Sequence, residues 1–267
     1  MAKDELQKTN EEMKRALESA AAVQTALLPH GFHGGNGIRI AWRLKACATL
    51  AGDILNAFWL DDKHLGCYVL DVMGHGVPAA LLSVTLSHFL SPRSRGPFLL
   101  GPEGGREGSA EILSPAGVGE RLNQQFPLDL ETSQFFTILY GVLNAETKVF
   151  RYFSAGHPPM IHVPCGGGPA VLPTAGFPVG VVDNPEYEDR EIQLRSGDRL
   201  FIYSDGVTEV QDPNGEQFGI DRLCAAIRLA VAMPLEEGLD AALDWIGSWS
   251  DGEALQDDVS VLVVEVE

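Results

Sequence analysis

Short runs of apolar residues, separated by turn-forming residues, dominate the chain beyond residue 37. Runs at residues 38–46, 53–60 and 65–70 predict three strands, and the Asp-Asp-Lys turn at residues 61–63 joins the last two into a hairpin. The run at residues 65–70 does not alternate with polar positions, which is typical of a strand buried on both faces. This region therefore predicts a buried sheet with hairpin connections.

The rest of the chain continues this pattern, with helices inserted in pairs. Further strands are predicted at residues 135–143, 149–154, 160–163, 187–194, 199–203 and 259–266. Helices are predicted at residues 79–90, 118–126, 218–231 and 235–249. The Ser-Gly-Asp turn at residues 196–198 predicts a hairpin between the strands on either side of it. Hairpins with paired helices predict an α+β layered sandwich rather than a doubly wound sheet.

Two Gly-rich segments interrupt the pattern. Residues 30–37 form a break that is the best candidate for a domain boundary. Residues 91–109 are rich in Gly, Pro and Arg without periodicity, which predicts a mobile surface loop. The first break divides the chain into an N-terminal helical linker at residues 1–30 and a domain at residues 31–267.

The linker itself carries a heptad pattern. Residues 6–28 contain no Gly or Pro, so one helix is predicted to end before Pro29. Positions at alternating steps of four and three form a seam: Leu6, Asn10, Met13, Leu17, Ala20, Gln24 and Leu27. The helix is either a dimerising coiled coil, in which polar seam residues fix the register, or an amphipathic helix packed on its own domain. The first alternative predicts a homodimer through residues 6–28.

Length and charge narrow the class of protein. A chain of 267 residues is long enough for one large domain and an appendage. Its formal net charge of −18 argues against a nucleic-acid partner, because Lys and Arg are not in excess and backbone phosphates would not be neutralised. Bound metal ions are expected to cancel part of this charge.

The cysteines and the apolar segments indicate a cytoplasmic protein without a membrane partner. Cys47, Cys67, Cys165 and Cys224 are scattered and form no C-x-x-C pair, which argues against a disulfide framework or a zinc site. No apolar stretch approaches the ~20 residues needed to span a bilayer. The N-terminus also lacks the apolar region of a signal peptide.

Four short acidic motifs stand next to apolar runs, and they carry the candidate chemistry. They are AGD at residues 51–53, DVMGHG at 71–76, SDG at 204–206 and DDVS at 257–260. Each motif alone is equally typical of a plain turn. Buried strands deliver their end residues to the edge of a sheet, so four such motifs are expected to bring carboxylates together. Asp oxygens without Cys or His at ligand spacing suit Mg²⁺ or Mn²⁺ rather than Zn²⁺.

These motifs and their order resemble the PPM family of metal-dependent Ser/Thr protein phosphatases (the protein phosphatase 2C fold), in particular its SpoIIE-like bacterial branch. The similarity covers residues 26–267. The matching segments are LLP at 27–29, DVMGHGVPAALL at 71–82, FTILYGV at 136–142, SAGHPP at 154–159 and SDGVTE at 204–209. The resemblance implies a four-layer α-β-β-α sandwich of two mainly antiparallel sheets flanked by helices and preceded by the linker helix.

The resemblance also implies a site with two Mn²⁺ or Mg²⁺ ions. The implied metal ligands, which act in catalysis through the metals, are Asp53, Asp71, Asp205 and Asp257, together with the main-chain carbonyl of Val72. Asp258 is the alternative to Asp257. One departure from the family is that GGDFYD reads AGDILN at residues 51–56, so Asn56 replaces a second acid.

The histidines and cysteines are less well supported as catalytic residues. His75, in the Gly loop, is either a catalytic proton donor to the leaving group or a hydrogen-bond partner of a carboxylate. His157, between Gly156 and Pro158, is interpreted as a residue that stabilises a turn. None of the four cysteines has the base and orienting group that a nucleophile needs, which disfavours covalent catalysis.

The leading hypothesis is metal-dependent hydrolysis of phosphoserine or phosphothreonine on a protein partner, by water and without a phosphoenzyme. The resemblance further implies a phosphorylated anti-sigma-factor antagonist as the substrate. It also implies an upstream sensor or receiver domain, acting through the N-terminal helix on this output domain. A second hypothesis is a catalytically weak or inactive adaptor, favoured by Ala51 and Asn56. A third, hydrolysis of a small phosphorylated metabolite, is disfavoured because no Lys or Arg adjoins an acidic motif.

Overall fold

The fold consists of six helices and eleven strands in the part of the chain that a computed structural model describes, residues 2–91, 98–100, 111–127 and 134–267. The helices are α1 (Ala2–Thr25), α2 (Val77–Phe89), α3 (Pro115–Gln125), α4 (Gly206–Glu209), α5 (Gly219–Ala230) and α6 (Leu235–Trp249). The strands are β1 (Gly34–Gly35), β2 (Ile38–Lys45), β3 (Ile54–Trp59), β4 (His64–Val72), β5 (Phe136–Asn144), β6 (Val149–Ala155), β7 (Met160–Val163), β8 (Ala170–Leu172), β9 (Arg190–Gln193), β10 (Arg199–Tyr203) and β11 (Val259–Val266).

The strands form two antiparallel sheets. The first sheet has the order β1-β2-β11-β10-β7-β8, and the second has the order β3-β4-β5-β6-β9. The predicted hairpin of β3 and β4 is confirmed, with Ile54 opposite Leu70. The central strand β11 is buried at all eight positions, as expected for a strand covered on both faces.

Three apolar cores separate four layers. One core lies between the sheets and contains Leu139, Leu200 and Leu262. A second lies between the second sheet and helices α2 and α3, and a third lies between the first sheet and helices α5 and α6. The expected α-β-β-α sandwich is therefore confirmed.

The predicted hairpin around residues 196–198 is wrong. β9 pairs with β6 at the edge of the second sheet, whereas β10 lies in the first sheet between β7 and β11. β10 is buried at all five positions and needs a partner on each side, while the half-exposed β9 fits a sheet edge. The turn therefore passes the chain from one sheet to the other.

Several element boundaries differ from the predicted ones. Helix α3 begins three residues early, because Pro115 occupies its first turn and the Ser114 hydroxyl accepts the N–H of Gly117 at 3.2 Å. Strands β1 and β8 and the short helix α4 were not predicted. The loop predicted at residues 91–109 falls largely outside the described residues.

The N-terminal helix packs on its own domain near its C-terminal end. The seam residues Leu6 and Met13 are exposed, 71% and 58%, so a contact with a second chain stays a prediction. Gln24, however, is buried against the domain, and the helix ends at Thr25 rather than at residue 28. Gln24 is therefore not available to a coiled-coil seam. No helix in the described ranges has the length and apolar character required to cross a bilayer.

Candidate functional site

The two sheets bring five aspartates together at one end of the sandwich. The second sheet supplies Asp53, directly before β3, and Asp71, near the end of β4. The first sheet supplies Asp205 after β10 and the pair Asp257 and Asp258 before β11. We call these five residues the acidic cluster. The predicted convergence of the four motifs is thus observed.

The carboxylates are close enough to raise one another's pKa. Burial and the charges of Asp205 and Asp257 raise the pKa of Asp71 to about 7, although a hydrogen bond with Asp53 opposes the rise. Burial and Asp257 raise the pKa of Asp205 to about 6. Burial also raises the pKa of Asp257. Without a cation, the site therefore holds more negative charge than its surroundings stabilise.

Asp53 is the most deeply buried member of the cluster. Its side chain is 1% exposed, and burial together with the charge of Asp71 raises its pKa well above the usual range. The hydroxyls of Ser204 and Ser260 oppose this rise. Its Oδ2 atom has no hydrogen-bond partner among the residues that the structure describes. A buried carboxylate oxygen without a donor is costly, and a cation would satisfy it.

Asp258 has a different environment from its neighbour Asp257. It is 2% exposed, and its carboxylate accepts the backbone N–H groups of Cys47 at 2.8 Å, Gly52 at 2.6 Å and Asp53 at 3.2 Å. These bonds use both oxygens to hold the segment that delivers Asp53. Asp257 is exposed and free of such bonds, apart from the adjacent N–H of Asp258 at 2.7 Å.

Glycines allow the backbone segments of the site to approach one another. A Cβ atom on Gly206 would lie 2.1 Å from the carbonyl oxygen of Asp258. A Cβ atom on Gly52 would lie 3.1 Å from the carbonyl oxygen of Val72 and 3.0 Å from that of Gly74. The Val72 carbonyl therefore lies beside the backbone that precedes Asp53, within the region of the acidic cluster.

Two histidines lie at the site in different settings. His75 is exposed in the loop before α2, and its charge lowers the pKa of Asp257. His157 is buried, and burial lowers its pKa to about 3, so its ring is neutral at physiological pH. Its Nδ1 atom lies 2.8 Å from the hydroxyl of Thr137. This contact supports the interpretation of His157 as a structural residue rather than a base.

Cys47 is a neighbour that the sequence did not reveal. Its sulfur and the carboxylates of Asp257 and Asp258 offer three atoms within 4.8 Å of one another, so a thiol does lie at ligand spacing. Burial, followed by the charge of Asp258, raises the pKa of this thiol to about 11. The only sequence signal was that Cys47 falls between a predicted strand and the AGD motif.

Hydrogen bonds of two side chains, Gln24 and Asn56, join the N-terminal segment to the domain near the site. The Gln24 side chain donates to the carbonyl of Ala51 at 2.6 Å and accepts its N–H at 3.0 Å. It also donates to the Ser83 hydroxyl on α2 at 3.1 Å. The Asn56 amide donates to the carbonyl of Leu27 at 3.1 Å.

The ion pairs that Lys and Arg side chains form in the described ranges involve carboxylates outside the acidic cluster. Hard oxygen donors, one of them without a partner, are the set that Mg²⁺ and Mn²⁺ prefer. The donor set therefore fits divalent cations.

Comparisons with known proteins identify a family and a similar fold. The sequence model of the family described as Stage II sporulation protein E (SpoIIE) matches residues 61–267. The structure is similar to the SiaA-PP2C domain of Pseudomonas aeruginosa, with a TM-score of 0.80 and 19% sequence identity over 97% of this chain and 99% of that one.

Two curated relatives come from Bacillus subtilis (strain 168). The chain is 27% identical to phosphoserine phosphatase RsbP over 214 residues, which are 79% of this chain and 48% of that protein. It is 27% identical to phosphoserine phosphatase RsbU over 206 residues, which are 77% of this chain and 57% of that protein. The chain thus spans about half the length of these relatives.

Proposed function

The chain belongs to the Stage II sporulation protein E (SpoIIE) family, and from this premise we propose that it is a metal-dependent phosphatase of phosphoserine or phosphothreonine in proteins. The observation that carries the proposal is the acidic cluster. Its carboxylates have raised pKa values, no Lys or Arg in the described ranges pairs with them, and the buried Oδ2 of Asp53 lacks a partner.

We assign metal binding to Asp53, Asp71, Asp205 and Asp257, with the main-chain carbonyl of Val72. Two divalent cations, when bound, would supply an activated water and neutralise the charge of the transferring phosphoryl group. The central location of Asp71, whose pKa responds to Asp205 and Asp257 as well as to Asp53, supports its role as the shared ligand.

The remaining groups position the ligands. Asp258, which is satisfied by three backbone N–H groups, holds the Asp53 segment and is not assigned as a ligand. The Ser204 hydroxyl donates to the carbonyl of Asp258 at 3.3 Å and accepts the N–H of Ser260 at 3.1 Å, which ties the end of β10 to β11. His75, exposed near Asp257, is the candidate proton donor to the departing serine or threonine oxygen.

A protein substrate fits the site better than a small phosphorylated metabolite. Enzymes that act on small phosphates commonly bind the phosphate with Lys or Arg, and in the described ranges the acidic cluster has no such neighbour. The matched relatives RsbP and RsbU are named phosphoserine phosphatases. We propose a phosphorylated anti-sigma-factor antagonist as the substrate, on the basis of the family resemblance.

The alternative function, an inactive adaptor, loses its main support. Ala51 and Asn56, the two departures from the family pattern, contact the N-terminal segment through Gln24 and Leu27. The Asn56 side chain therefore has a structural use that does not involve the metal ligands, whereas Ala51 makes its contacts through backbone atoms that a Gly would also supply. A scaffold would also gain nothing from buried carboxylates that repel one another.

Regulation is assigned to the N-terminal helix. We propose that an upstream sensor or receiver domain acts through residues 1–30, and that the exposed positions Leu6 and Met13 contact a second copy of the chain. Sedimentation of the full chain and of a Leu6→Lys, Met13→Lys variant tests the dimer. A concentration-dependent dimer that this variant abolishes supports the proposal, and a monomeric full chain contradicts it.

A phosphatase assay tests the function. The full chain is incubated with a phosphoserine peptide, a phosphorylated anti-sigma-factor antagonist and a sugar phosphate, each with Mn²⁺, Mg²⁺ or EDTA. We expect metal-dependent release of phosphate from the protein or peptide and none with EDTA. Hydrolysis of the sugar phosphate alone would favour a metabolite phosphatase, and binding of the protein without hydrolysis would favour the adaptor.

A further inference from the structure

His157 lies in the connection that joins the two sheets beside the acidic cluster. It follows β6 of the second sheet and precedes β7 of the first sheet. Its side chain is 3% exposed, although it is polar. A buried polar ring in a sheet-to-sheet connection requires partners, so its contacts indicate what it does.

On one side, His157 contacts the strand that is paired with Asp71. Its Nδ1 atom lies 2.8 Å from the Oγ1 atom of Thr137. In the register of β4 and β5, Thr137 stands directly opposite Asp71. Cross-strand partners move together, so a restraint on Thr137 is also a restraint on the backbone of Asp71.

On the other side, the backbone of His157 leads into β7, the neighbour of the strand that delivers Asp205. β7 pairs with β10 with Ile161 opposite Phe201, and Tyr203 is the last residue of β10. The Nε2 atom does not reach ordinary hydrogen-bond geometry with any group in the described ranges. Only Ser204 separates Tyr203 from Asp205.

The connection that carries the ring is rigid. Gly156 has a φ of 68°, and a Cβ atom there would lie 2.5 Å from Cγ of Pro178. The carbonyl of His157 accepts the Thr174 hydroxyl at 2.8 Å. The imidazole is therefore fixed by its own backbone and does not merely follow the strands that it touches.

We propose that His157 is a positioning residue that sets the separation of Asp71 and Asp205. Its ring contacts the partner strand of Asp71, and its backbone leads into β7, which is paired with the strand that delivers Asp205. These two aspartates come from different sheets and repel each other, so a fixed spacer keeps them at the distance that shared cations require. The inference rests on the proposed metal-dependent function and adds a residue to it.

Affinity for Mn²⁺, measured by isothermal titration of the full chain, tests this role without relying on activity. Thr137→Val removes the hydroxyl and keeps the shape, Thr137→Ser keeps the hydroxyl, and His157→Gln replaces the ring. The control is His162→Gln, because His162 is also largely buried but pairs with Asp198, at the end of β10 remote from Asp205.

We expect Thr137→Val and His157→Gln each to weaken Mn²⁺ binding about tenfold, the lower end of the roughly 10–100-fold loss that follows removal of a group supporting the metal ligands. Thr137→Ser should retain the Mn²⁺ affinity within about threefold. The Thr137→Val, His157→Gln double variant should lose no more affinity than either single variant, because both changes act through one contact. His162→Gln should lower Tm without changing the affinity.

Three results would overturn the inference. The first is an unchanged Mn²⁺ affinity in Thr137→Val, and the second is a loss of affinity in Thr137→Ser as large as in Thr137→Val. The third is a loss in the double variant equal to the product of the two single-variant losses. The Thr137→Val result decides the question if His157→Gln does not fold. Absence of Mn²⁺ binding by the unmodified chain would instead contradict the proposed function itself.

Discussion

The carboxylate of Asp258 accepts the backbone N–H of Gly52 at 2.6 Å, so the residue before β11 holds the segment that delivers Asp53. Two adjacent aspartates therefore have separate tasks. Asp258 accepts backbone N–H groups of the segment between β2 and β3, whereas Asp257 is exposed.

Asp257→Ala and Asp258→Ala are expected to separate stability from metal binding. Asp258→Ala leaves three backbone N–H groups without their acceptor and should cost about 2–4 kcal/mol of unfolding free energy. Asp257→Ala should leave stability within about 0.5 kcal/mol and weaken Mn²⁺ binding. Urea unfolding of the metal-free variants checks the first part. Equal stability losses in both variants would contradict the division of roles.

Asp71→Asn should make the metal-free protein more stable and less active. The amide removes the repulsion with Asp205 and Asp257, so Tm should rise by about 2–4 °C without metal. Loss of the shared ligand should lower phosphatase activity at least about 100-fold. Calorimetry in EDTA and a phosphopeptide assay in Mn²⁺ measure the two effects. A lower Tm in EDTA would show that the Asp71 carboxylate stabilises the metal-free fold.

The layered fold and the convergence of the four motifs could be predicted from the sequence, because apolar runs and strand ends are local signals. The hydrogen-bond partners of individual side chains could not be predicted in this way. The resemblance favoured Asp257 over Asp258 as a ligand, but it did not indicate what Asp258 does. That role depends on the approach of Gly52 from the other sheet. Gln24 continues a heptad, yet it contacts Ala51, 27 positions away. The prediction of a hairpin at residues 196–198 was wrong because a turn signal does not specify which sheet the next strand joins.

The stability of the metal-free protein should depend on pH through Asp71 and Asp205. Their pKa values rise from 3.8 to about 7 and about 6, so the folded state binds protons that the unfolded state has released. This contribution is therefore favourable at low pH and is lost as the pH rises from about 4 to 7. The Tm difference between the Asp71→Asn, Asp205→Asn double variant and the unmodified chain in EDTA should widen over this range. A constant difference would contradict the raised pKa values.

Gln24→Ala should destabilise the domain through the backbone of Ala51. The change leaves the buried N–H and carbonyl of Ala51 without partners, at a cost of about 2–3 kcal/mol. Gln7→Ala is the matched control, because Gln7 is exposed on the same helix. Urea unfolding should show a loss in the first variant only. Equal effects would mean that the helix contributes by its propensity rather than by this contact.

His75→Gln tests proton donation to the leaving group. A serine oxygen needs a proton as it departs, whereas p-nitrophenolate is a good leaving group without one. The variant should therefore lower kcat on a phosphoserine peptide by about 10²-fold or more and change kcat on p-nitrophenyl phosphate much less. Equal losses on both substrates would assign His75 to metal or phosphate binding.

Anomalous diffraction at the manganese edge, from crystals of the full chain grown with Mn²⁺, tests the binuclear centre most directly. We predict two peaks about 3.5–4 Å apart. Both should lie within coordination distance of Asp71, and one should contact the Oδ2 atom of Asp53. The account would be contradicted if no manganese peak lay at the acidic cluster and the Oδ2 atom of Asp53 had no metal or hydrogen-bond partner in those crystals. Peaks found only elsewhere on the protein surface would have the same meaning.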